Sequence, residues 1–442
     1  MMLGVALLSA VVCGPIDFSR DAAFRREFKE AALAIARRKT EEGDVYRQKN
    51  VRRTDLKTRI ATGGSFGGYF LWDTAFAVIW ASRLPKGVMP AMESLDNLYA
   101  LADENGFICR EYTANGVRVW EPTHPNAFAP PLLAWAEMEL FGQGQSDVER
   151  LKSVYSKLKR HHEFCKAHYR RDDGLYFGDM LGCGMDDLKR YPRGMTTNEL
   201  LQTGGIPFTV DSVGPESKRL FSSWLFRIVP QHCWNRQMIW IDMSAQMALD
   251  ARQLAEMADR IGKSEDAASW RAEHGELSEA INRFCWSEEM GFYGDCYEGR
   301  VIPRKSAAAF WTLLAKVATP KRAERMCQML KDKRFFGRPV PFPTLSADDP
   351  DYNPEKGYWQ GSSWPPTTYV AIRGLREYGF EKEAEEAARR YYNANAALFR
   401  SSGTIFENIS PEQWQYPKAR VARDFCGWGA LAPVALPCDF KW

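Results

Sequence analysis

Twelve stretches of this 442-residue chain repeat apolar side chains at three- and four-residue spacing, the period of an amphipathic helix, while strand-like alternation is scarce and short. Eight stretches read most clearly: Phe24 to Arg38, Met89 to Ala102, Phe128 to Leu140, Asp147 to His168, Ile239 to Ile261, Glu265 to Phe284, Lys321 to Leu330 and Lys382 to Phe399. Apolar segments at Tyr69 to Ser82, Ala307 to Val317, Ser363 to Tyr378 and Phe425 to Ala435 complete the set. Between them lie long segments rich in Gly, Pro and aromatic residues, from Thr62 to Gly68, Glu104 to Ala127, Leu181 to Arg236, Phe335 to Ser362 and Ser401 to Arg423. Loops this long and this aromatic are functional rather than disordered. An internal echo, Asp173-Gly174-Leu175-Tyr176 against Met290-Gly291-Phe292-Tyr293, follows two of the long helices. An all-α chain with its long loops between alternate helix pairs is expected to close six αα-hairpins into a ring. No linker or composition shift divides it, so residues 21–442 read as one domain after a signal or N-terminal extension at residues 1–20.

Charge narrows the partner. Lys and Arg number 59 against 56 Asp and Glu, a formal balance of +3, with no basic stripe of the kind a nucleic-acid binder carries. A small or neutral partner fits better. Ten cysteines stand singly, without a CxxC pair or zinc spacing, so neither a metal site nor a disulfide framework is expected, and no cofactor is implied. No apolar run is long enough to span a membrane. The opening MMLGVALLSAVVC resembles the apolar part of a secretion signal, cut after Cys13, but lacks the basic start and the A-x-A site. A cytoplasmic location is therefore slightly favoured over a periplasmic or secreted one. Fifteen tryptophans either fill an aromatic core or line a cleft with flat faces that stack on sugar rings.

Three loop motifs could carry chemistry. In GGSFGGYFLWDTAF, Gly63, Gly64, Gly67 and Gly68 let backbone approach a ligand, and Trp72 beside Asp73 offers a ring face with a carboxylate. The same pattern also suits a helix start with an acid in its first turn. In LGCGMDDLKRYPR the turn at Gly182 and Gly184 presents Asp186 and Asp187, with Lys189, Arg190 and Arg193 placed to tune a proton donor or simply to solvate a charged turn. In GTIFENISPEQ, Glu407 follows the apolar pair Ile405-Phe406, which favours a desolvated carboxyl, whereas Glu412 reads as an ordinary acid. Two perturbed carboxylates across a scissile bond are what glycoside cleavage requires. The phosphate loop GxxxxGK[ST] and the zinc motif HExxH are absent. The six histidines, His124, His161, His162, His168, His232 and His274, form no ligand pattern, and His161 and His162 read as a solvated helix face.

These motifs, in this order, resemble the trehalase and family 63 glycoside hydrolase group over about Gly63 to Gly429. GGSFGGYFLWDTAF is similar to its segment ending in Trp-Asp, and PNAFAPPLLAW to its Pro-Asn-Gly-Trp-Ala-Pro and Pro-Pro-Leu-Leu segments. CGMDDLKRYPR resembles Ser-Gly-Met-Asp-Asn, YWQGSSWPPTTYVAIRGL resembles Tyr-Trp-Arg-Gly-Pro-Ile-Trp, and FENISPEQ resembles the Glu-Asn/Lys-Tyr segment. The resemblance implies an (α/α)6 toroid barrel of about twelve helices, with Asp186 as general acid and Glu407 as general base. It further implies that Tyr69, Trp72, Asp73, Arg110, Glu111, Trp359, Gln360, Gly361 and Trp364 line the subsite for the cleaved sugar. Three departures stand out: Gly182-Cys183 replaces Glu-Ser, Asp187 replaces Asn, and Gln360 replaces Arg.

The chain lacks the large β domain of the oligosaccharide-processing members and is closer in length to mannosylglycerate and glucosylglycerate hydrolases and trehalases. The expected activity is inverting hydrolysis of a short α-glucoside or α-mannoside. Two rivals remain. A sugar epimerase or uronide hydrolase on a similar barrel is one, although an epimerase would need paired histidines late in the chain and none follows His274. A catalytically silent carbohydrate-binding barrel is the other, although both carboxylates are present.

Overall fold

The protein is described by a computed structural model covering residues 17–442 apart from 51–52, 121, 123–126, 180–181, 194–236, 356–357 and 413–420. The apolar start through Cys13, His124, His232 and most of the segment from Leu181 to Arg236 therefore lie outside the described residues.

Helices dominate: α1 (Ala22–Asn50), α2 (Leu71–Ala81), α3 (Ala91–Leu101), α4 (Leu133–Gly142), α5 (Val148–Tyr169), α6 (Ile241–Arg260), α7 (Ser264–Phe284), α8 (Trp311–Leu314), α9 (Pro320–Lys331), α10 (Pro365–Glu377), α11 (Glu381–Ser402) and α12 (Cys426–Gly429). The even-numbered helices form the inner ring, α2 packing on α4, α4 on α6, α6 on α8, α8 on α10, α10 on α12 and α12 back on α2. The odd-numbered helices lie outside, with α1 against α12, α3 against α2, α5 and α7 against α6, and α11 against α10. The twelve-helix toroid expected from the periodicity is the fold. Among the described residues no helix is long and apolar enough to cross a membrane.

Sequence separates the rings. Every residue of α2, LWDTAFAVIWA, is buried, as a helix apolar all round must be. In α9 only Ala323, Met326, Cys327 and Leu330 are buried, a single stripe facing inward. Close approach within the inner ring depends on Gly374 of α10, where a Cβ would stand 2.6 Å from Leu313 Cβ and 2.9 Å from the Leu314 nitrogen. The ring closes where the Trp80 indole donates to the carbonyls of Cys426 and Gly427, at 3.1 and 3.0 Å. Trp72, Phe76, Trp135 and Trp311 meet edge to face at 5.0 to 6.0 Å, joining α2, α4 and α8 into an aromatic core.

Some boundaries differ from the periodicity. Pro130 and Pro131 delay α4 to Leu133. The stretch from Ala307 begins as a 3-10 turn (Ala307–Phe310), and Pro433, which cannot donate a backbone hydrogen bond, sits in a π turn (Leu431–Ala435) beyond α12. The strong helix formers after Arg38, Lys39, Glu41, Glu42, Arg47, Gln48 and Lys49, carry α1 through Gly43 on to Asn50. His161 and His162 are buried, not solvated: α5 leans on α6, and His162 reaches Asp250 at 2.8 Å and Glu273 at 3.1 Å. These two carboxylates raise its pKa to about 9 against the opposing effect of burial, so it is held as imidazolium.

Connections from an inner to the next outer helix are short (82–90, 143–147, 261–263, 315–319, 378–380). Those from an outer helix to the next inner one are long (51–70, 102–132, 170–240, 285–306, 332–364, 403–425), and their described parts lead into the N-terminal ends of the inner helices. They contain short antiparallel ribbons: β1 (Tyr69–Phe70) with β2 (Glu111–Tyr112), β3 (Met238–Ile239) with β6 (Cys296–Tyr297) and β7 (Arg300–Val301), and β4 (Trp286–Ser287) with β5 (Phe292–Tyr293). The internal echo is structural too, since Arg170 bridges Tyr176 after α5 as Trp286 pairs with Tyr293 after α7.

Candidate active site

Each motif residue in question sits on one of the long connections or at the inner-helix start that follows it. The acid loop begins with a turn in which Asp179 accepts the Gly182 N–H through its carboxylate and the Cys183 N–H through its carbonyl, both at 2.8 Å. Gly184 follows with φ +73°, and a Cβ there would lie 2.8 Å from the Trp72 ring, so only glycine lets this loop cross the indole. Asp186 and Asp187 emerge half-buried. Arg190 locks the far side of the loop by paired bonds of 2.6 to 2.9 Å to Asp242 and Asp295, its guanidinium 4.1 Å from the Trp240 ring centroid. The three cations of the motif therefore point elsewhere than Asp186. Arg190 is committed to that buried cluster, Lys189 reaches Asp351 at 3.2 Å and Arg193 reaches Asp349 at 3.2 Å.

Glu407 lies on the connection from α11 to α12. Its N–H donates to the Ala422 carbonyl at 3.0 Å, the Ala422 N–H returns a 3.3 Å bond to Oε2, and the Tyr358 hydroxyl donates to Oε1 at 3.3 Å. The Trp428 indole donates to the Glu407 carbonyl at 2.9 Å. Ile405 and Phe406 are buried beside it, and burial pushes the Glu407 carboxyl up to about 7. Glu412, five residues on, has the opposite surroundings. Arg338 and the Tyr352 hydroxyl hold it at 2.5 to 2.9 Å and keep its pKa low.

The ribbon of β1 and β2 pairs Phe70 with Glu111, and the Leu71 N–H donates to the Arg110 carbonyl at 3.0 Å, which fixes Arg110 at the start of α2 beside Asp73. Arg110 also pairs with Glu111 at 3.2 Å, and Glu111 accepts the Trp120 indole at 3.3 Å. On the connection before α10, Tyr358 adopts φ +39°, a left-handed conformation that costs a tyrosine about 1 to 3 kcal/mol. Trp359 and Trp364 stack at 3.6 Å with an 11° tilt, and the Trp364 indole donates to the Tyr358 carbonyl at 2.9 Å. The Trp359 N–H donates to Asp187 Oδ1 at 2.8 Å. The Gln360 amide touches Asp187 at its carbonyl, 3.2 Å, and at Oδ2, 3.4 Å.

Electrostatics joins these pieces. Burial raises Asp73 well above a normal carboxylate, the charges of Glu407 and Asp186 raise it further, and Arg110 opposes them. Asp186 is pushed up to about 7 by burial and by Asp187, Glu407 and Asp179, again against Arg110. Asp187 rises to about 6, chiefly by burial. Four separate connections and the first turn of α2 thus bring Asp73, Arg110, Asp186, Glu407, Tyr358 and Gln360 to one place.

Other expected positions are more enclosed. Tyr69 is buried with Arg59 at 4.3 Å from its ring centroid. Trp364 is fully buried behind Trp359, and Trp72 is embedded in the aromatic core with its indole N–H unpaired among the described residues. A Cβ at Gly361 would lie about 3 Å from the Asn353–Pro354 backbone, so this glycine serves loop packing. Tyr358 is absent from the sequence-derived set although it opens the Tyr-Trp-Gln-Gly string. Its proximity to Glu407 spans 49 residues and has no local signature. The string Gly63-Gly64-Ser65-Phe66-Gly67 spells G-x-S-x-G, but Ser65 lies exposed on a turn closed by the Gly63–Phe66 bridge, not on a strand-to-helix elbow. The described histidines sit on the outer helices α5 and α7. Among the described residues no group of three or more His, Cys, Asp or Glu is arranged to hold a metal ion.

A trehalase-like toroid whose long loops converge several carboxylates at one mouth defines a glycoside hydrolase domain. Residues 69–425 match the mannosylglycerate hydrolase MGH1-like glycoside hydrolase domain, and the chain belongs to that family. It is 24% identical over 333 residues to an uncharacterised protein of Borreliella burgdorferi, covering 74% of this chain and 61% of that one. It is 31% identical over 165 residues to the mannosylglycerate hydrolase of Rubrobacter radiotolerans, 36% of each chain. The chain thus spans less than two thirds of the length of these curated relatives. In fold it is similar to the family 63 mannosylglycerate hydrolase of Thermus thermophilus bound to Tris and D-glycerate, with TM-score 0.67, 19% identity and coverage of 92% and 99%. It also resembles the neutral trehalase of Saccharomyces cerevisiae, with TM-score 0.56, 15% identity and coverage of 86% and 73%.

Proposed function

We propose that residues 21–442 act as one catalytic unit that hydrolyses a short α-glucoside or α-mannoside with inversion, on substrates in the range of glucosylglycerate, mannosylglycerate, trehalose or a small oligosaccharide. Asp186 gives its proton to the glycosidic oxygen, and Glu407 takes a proton from the water that attacks the anomeric carbon on the opposite face. Tyr69, Trp72, Asp73, Arg110, Glu111, Trp359, Gln360, Gly361 and Trp364 frame the subsite of the cleaved sugar.

One observation carries this reading. Two carboxyls on different connections, Asp186 and Glu407, are each lifted to about 7 by burial, so near neutral pH one can hold a proton while the other is ionised. Because each charge opposes the other, the first ionisation makes the second harder and the pair titrates as a unit. Tyr358 and the Ala422 N–H favour the ionised form at Glu407, which supports assigning the base there.

The test is the anomer released first. Proton NMR taken early in hydrolysis of an α-linked substrate should show β-sugar ahead of mutarotation, and initial release of α-sugar contradicts inversion. Exhaustive EDTA treatment is expected to leave turnover unchanged, since the two carboxyls and water suffice for the steps proposed.

A further inference from the structure

We infer that Asp187 is a positioning residue, tying the loop of the acid Asp186 to the turn whose Tyr358 hydroxyl serves the base Glu407, an inference that rests on the roles proposed for those two carboxyls. Asp187 is the chain neighbour of Asp186, so whatever it grips is held in register with the acid. It grips the short 3-10 turn Tyr358–Gln360. The first N–H groups of a helical turn have no partner inside it and must find one elsewhere.

The carbonyls of that turn are held from within its own connection. The Trp364 indole takes that of Tyr358 at 2.9 Å, the Thr344 hydroxyl that of Trp359 at 2.6 Å and the Asn353 N–H that of Gln360 at 2.9 Å. The Trp359 N–H is taken from outside, by Asp187 Oδ1 at 2.8 Å, across 172 residues of sequence. The Gln360 amide then meets the Asp187 carbonyl at 3.2 Å and Oδ2 at 3.4 Å. An acceptor-only carboxylate with two oxygens matches these two donors. Positions 187 and 360 are two of the three departures from the pattern the chain resembles, and they touch each other.

The turn passes this grip on to the base. Tyr358 stands at φ +39°, a conformation that persists only where its surroundings over-determine it. Its ring meets Trp364 edge to face at 4.7 Å, and Trp364 stacks on Trp359 at 3.6 Å, so a displaced Trp359 carries Tyr358 with it. The Tyr358 hydroxyl lies 3.3 Å from Glu407 Oε1, close to the limit of a hydrogen bond, so a small shift breaks it. Besides burial, the charge of Asp187 discourages ionisation of Asp186, but that effect concerns proton donation alone.

The test therefore reads kcat on α-mannosyl and α-glucosyl fluoride, whose leaving group needs little protonation, so that the base side is seen by itself. On whichever fluoride the wild type cleaves, Asp187→Ala should lose about tenfold, as much as Tyr358→Phe. Asp187→Asn keeps an oxygen for the Trp359 N–H and should stay within about threefold of wild type. In the Tyr358→Phe background Asp187→Ala should cost less than about twofold more, because the contact it served is already gone. Full additivity of the two losses overturns the inference, as does Asp187→Asn falling as far as Asp187→Ala. A loss in Asp187→Ala confined to natural glycosides also overturns it, assigning Asp187 to the acid through charge alone. Circular dichroism and thermal melting establish folding. Should Asp187→Ala not fold, Gln360→Leu takes its place in the cycle, with an expected loss of about threefold and the same non-additivity. If the folded wild type cleaves neither fluoride, nor trehalose, nor mannosylglycerate, the proposed function itself fails and the inference falls with it.

Discussion

Where the inner helices end, Arg83 and Arg373 stand against Glu139 and Asp439, with Arg83 bonded at 2.5 and 3.0 Å and Arg373 bonded to Glu139 at 2.9 Å. The Tyr369 hydroxyl donates to Asp439 at 2.6 Å and accepts from both arginines. Two cations meet two anions, and Glu139 titrates at about 2 even though burial works against it. Where the inner helices begin, Asp73 and Asp186 share Arg110, Asp187 and Glu407 act on Asp186 as further negative charges, and all four carboxyls are raised. Both ends bury charge, yet one satisfies it and the other leaves carboxyls reluctant to ionise. The first arrangement suits closing a ring of helices, and the second suits holding a proton near neutral pH.

Removing a charge should therefore have opposite consequences at the two ends. The largest effect is expected for Glu407→Gln, which should lower kcat by about a thousandfold while leaving stability unchanged or raised by about 1 to 3 kcal/mol, since a costly buried carboxyl disappears. Urea denaturation beside steady-state kinetics checks both parts, and a less stable variant would erase the contrast. Next comes Arg83→Met. Two buried carboxyls then lose a partner, and about 3 to 5 kcal/mol of stability should be lost with activity per folded molecule retained.

Stability against pH gives a smaller effect of opposite sign at the two ends. Asp186 and Glu407 hold protons in the folded chain that they release when unfolded, so their contribution is present below about 4 to 4.5 and is lost as pH rises through about 7. Glu139 holds fewer protons when folded, so its contribution is present above about 4.5 and is lost as pH falls through about 2. Asp186→Asn/Glu407→Gln should flatten the fall between about 4.5 and 7 and leave the acid limb intact. The smallest effect is expected for Tyr358→Phe. Losing one hydrogen bond to the base should cost about tenfold in kcat and shift the acidic limb of the pH–rate profile upward, because the ionised form of Glu407 loses a donor. A loss of rate without that shift would make Tyr358 merely structural.

Much of the scaffold was legible because helical period is local. The α2 helix, apolar on every face apart from Asp73 and Thr74 in its first turn, and the striped α9 declare inner and outer rings within a dozen residues each. Asp186, Glu407 and Asp73 were legible as motif members, and the apolar pair before Glu407 foretold its burial. What remained hidden depends on partners distant in sequence. His162 looked like a solvated face because its acids lie 88 and 111 residues away on α6 and α7. Arg190 looked like a tuner of Asp186 because Asp242 and Asp295 are 52 and 105 residues away. Trp72, Trp359 and Trp364 are all buried, Trp72 among the aromatic rings of α2, α4 and α8, and Trp359 stacked on Trp364 while bonded through its backbone to the acid loop.

The roles of the two carboxyls are tested most directly by Asp186→Asn assayed on two substrates of one sugar, a natural α-glycoside and the glycosyl fluoride. A donor is needed in proportion to how poor the leaving group is, and fluoride needs little protonation. The account predicts that Asp186→Asn loses about a thousandfold or more on the glycoside yet keeps a substantial part of wild-type activity on the fluoride, whereas Glu407→Gln loses both. Equal losses on the two substrates in Asp186→Asn would contradict its role as the acid.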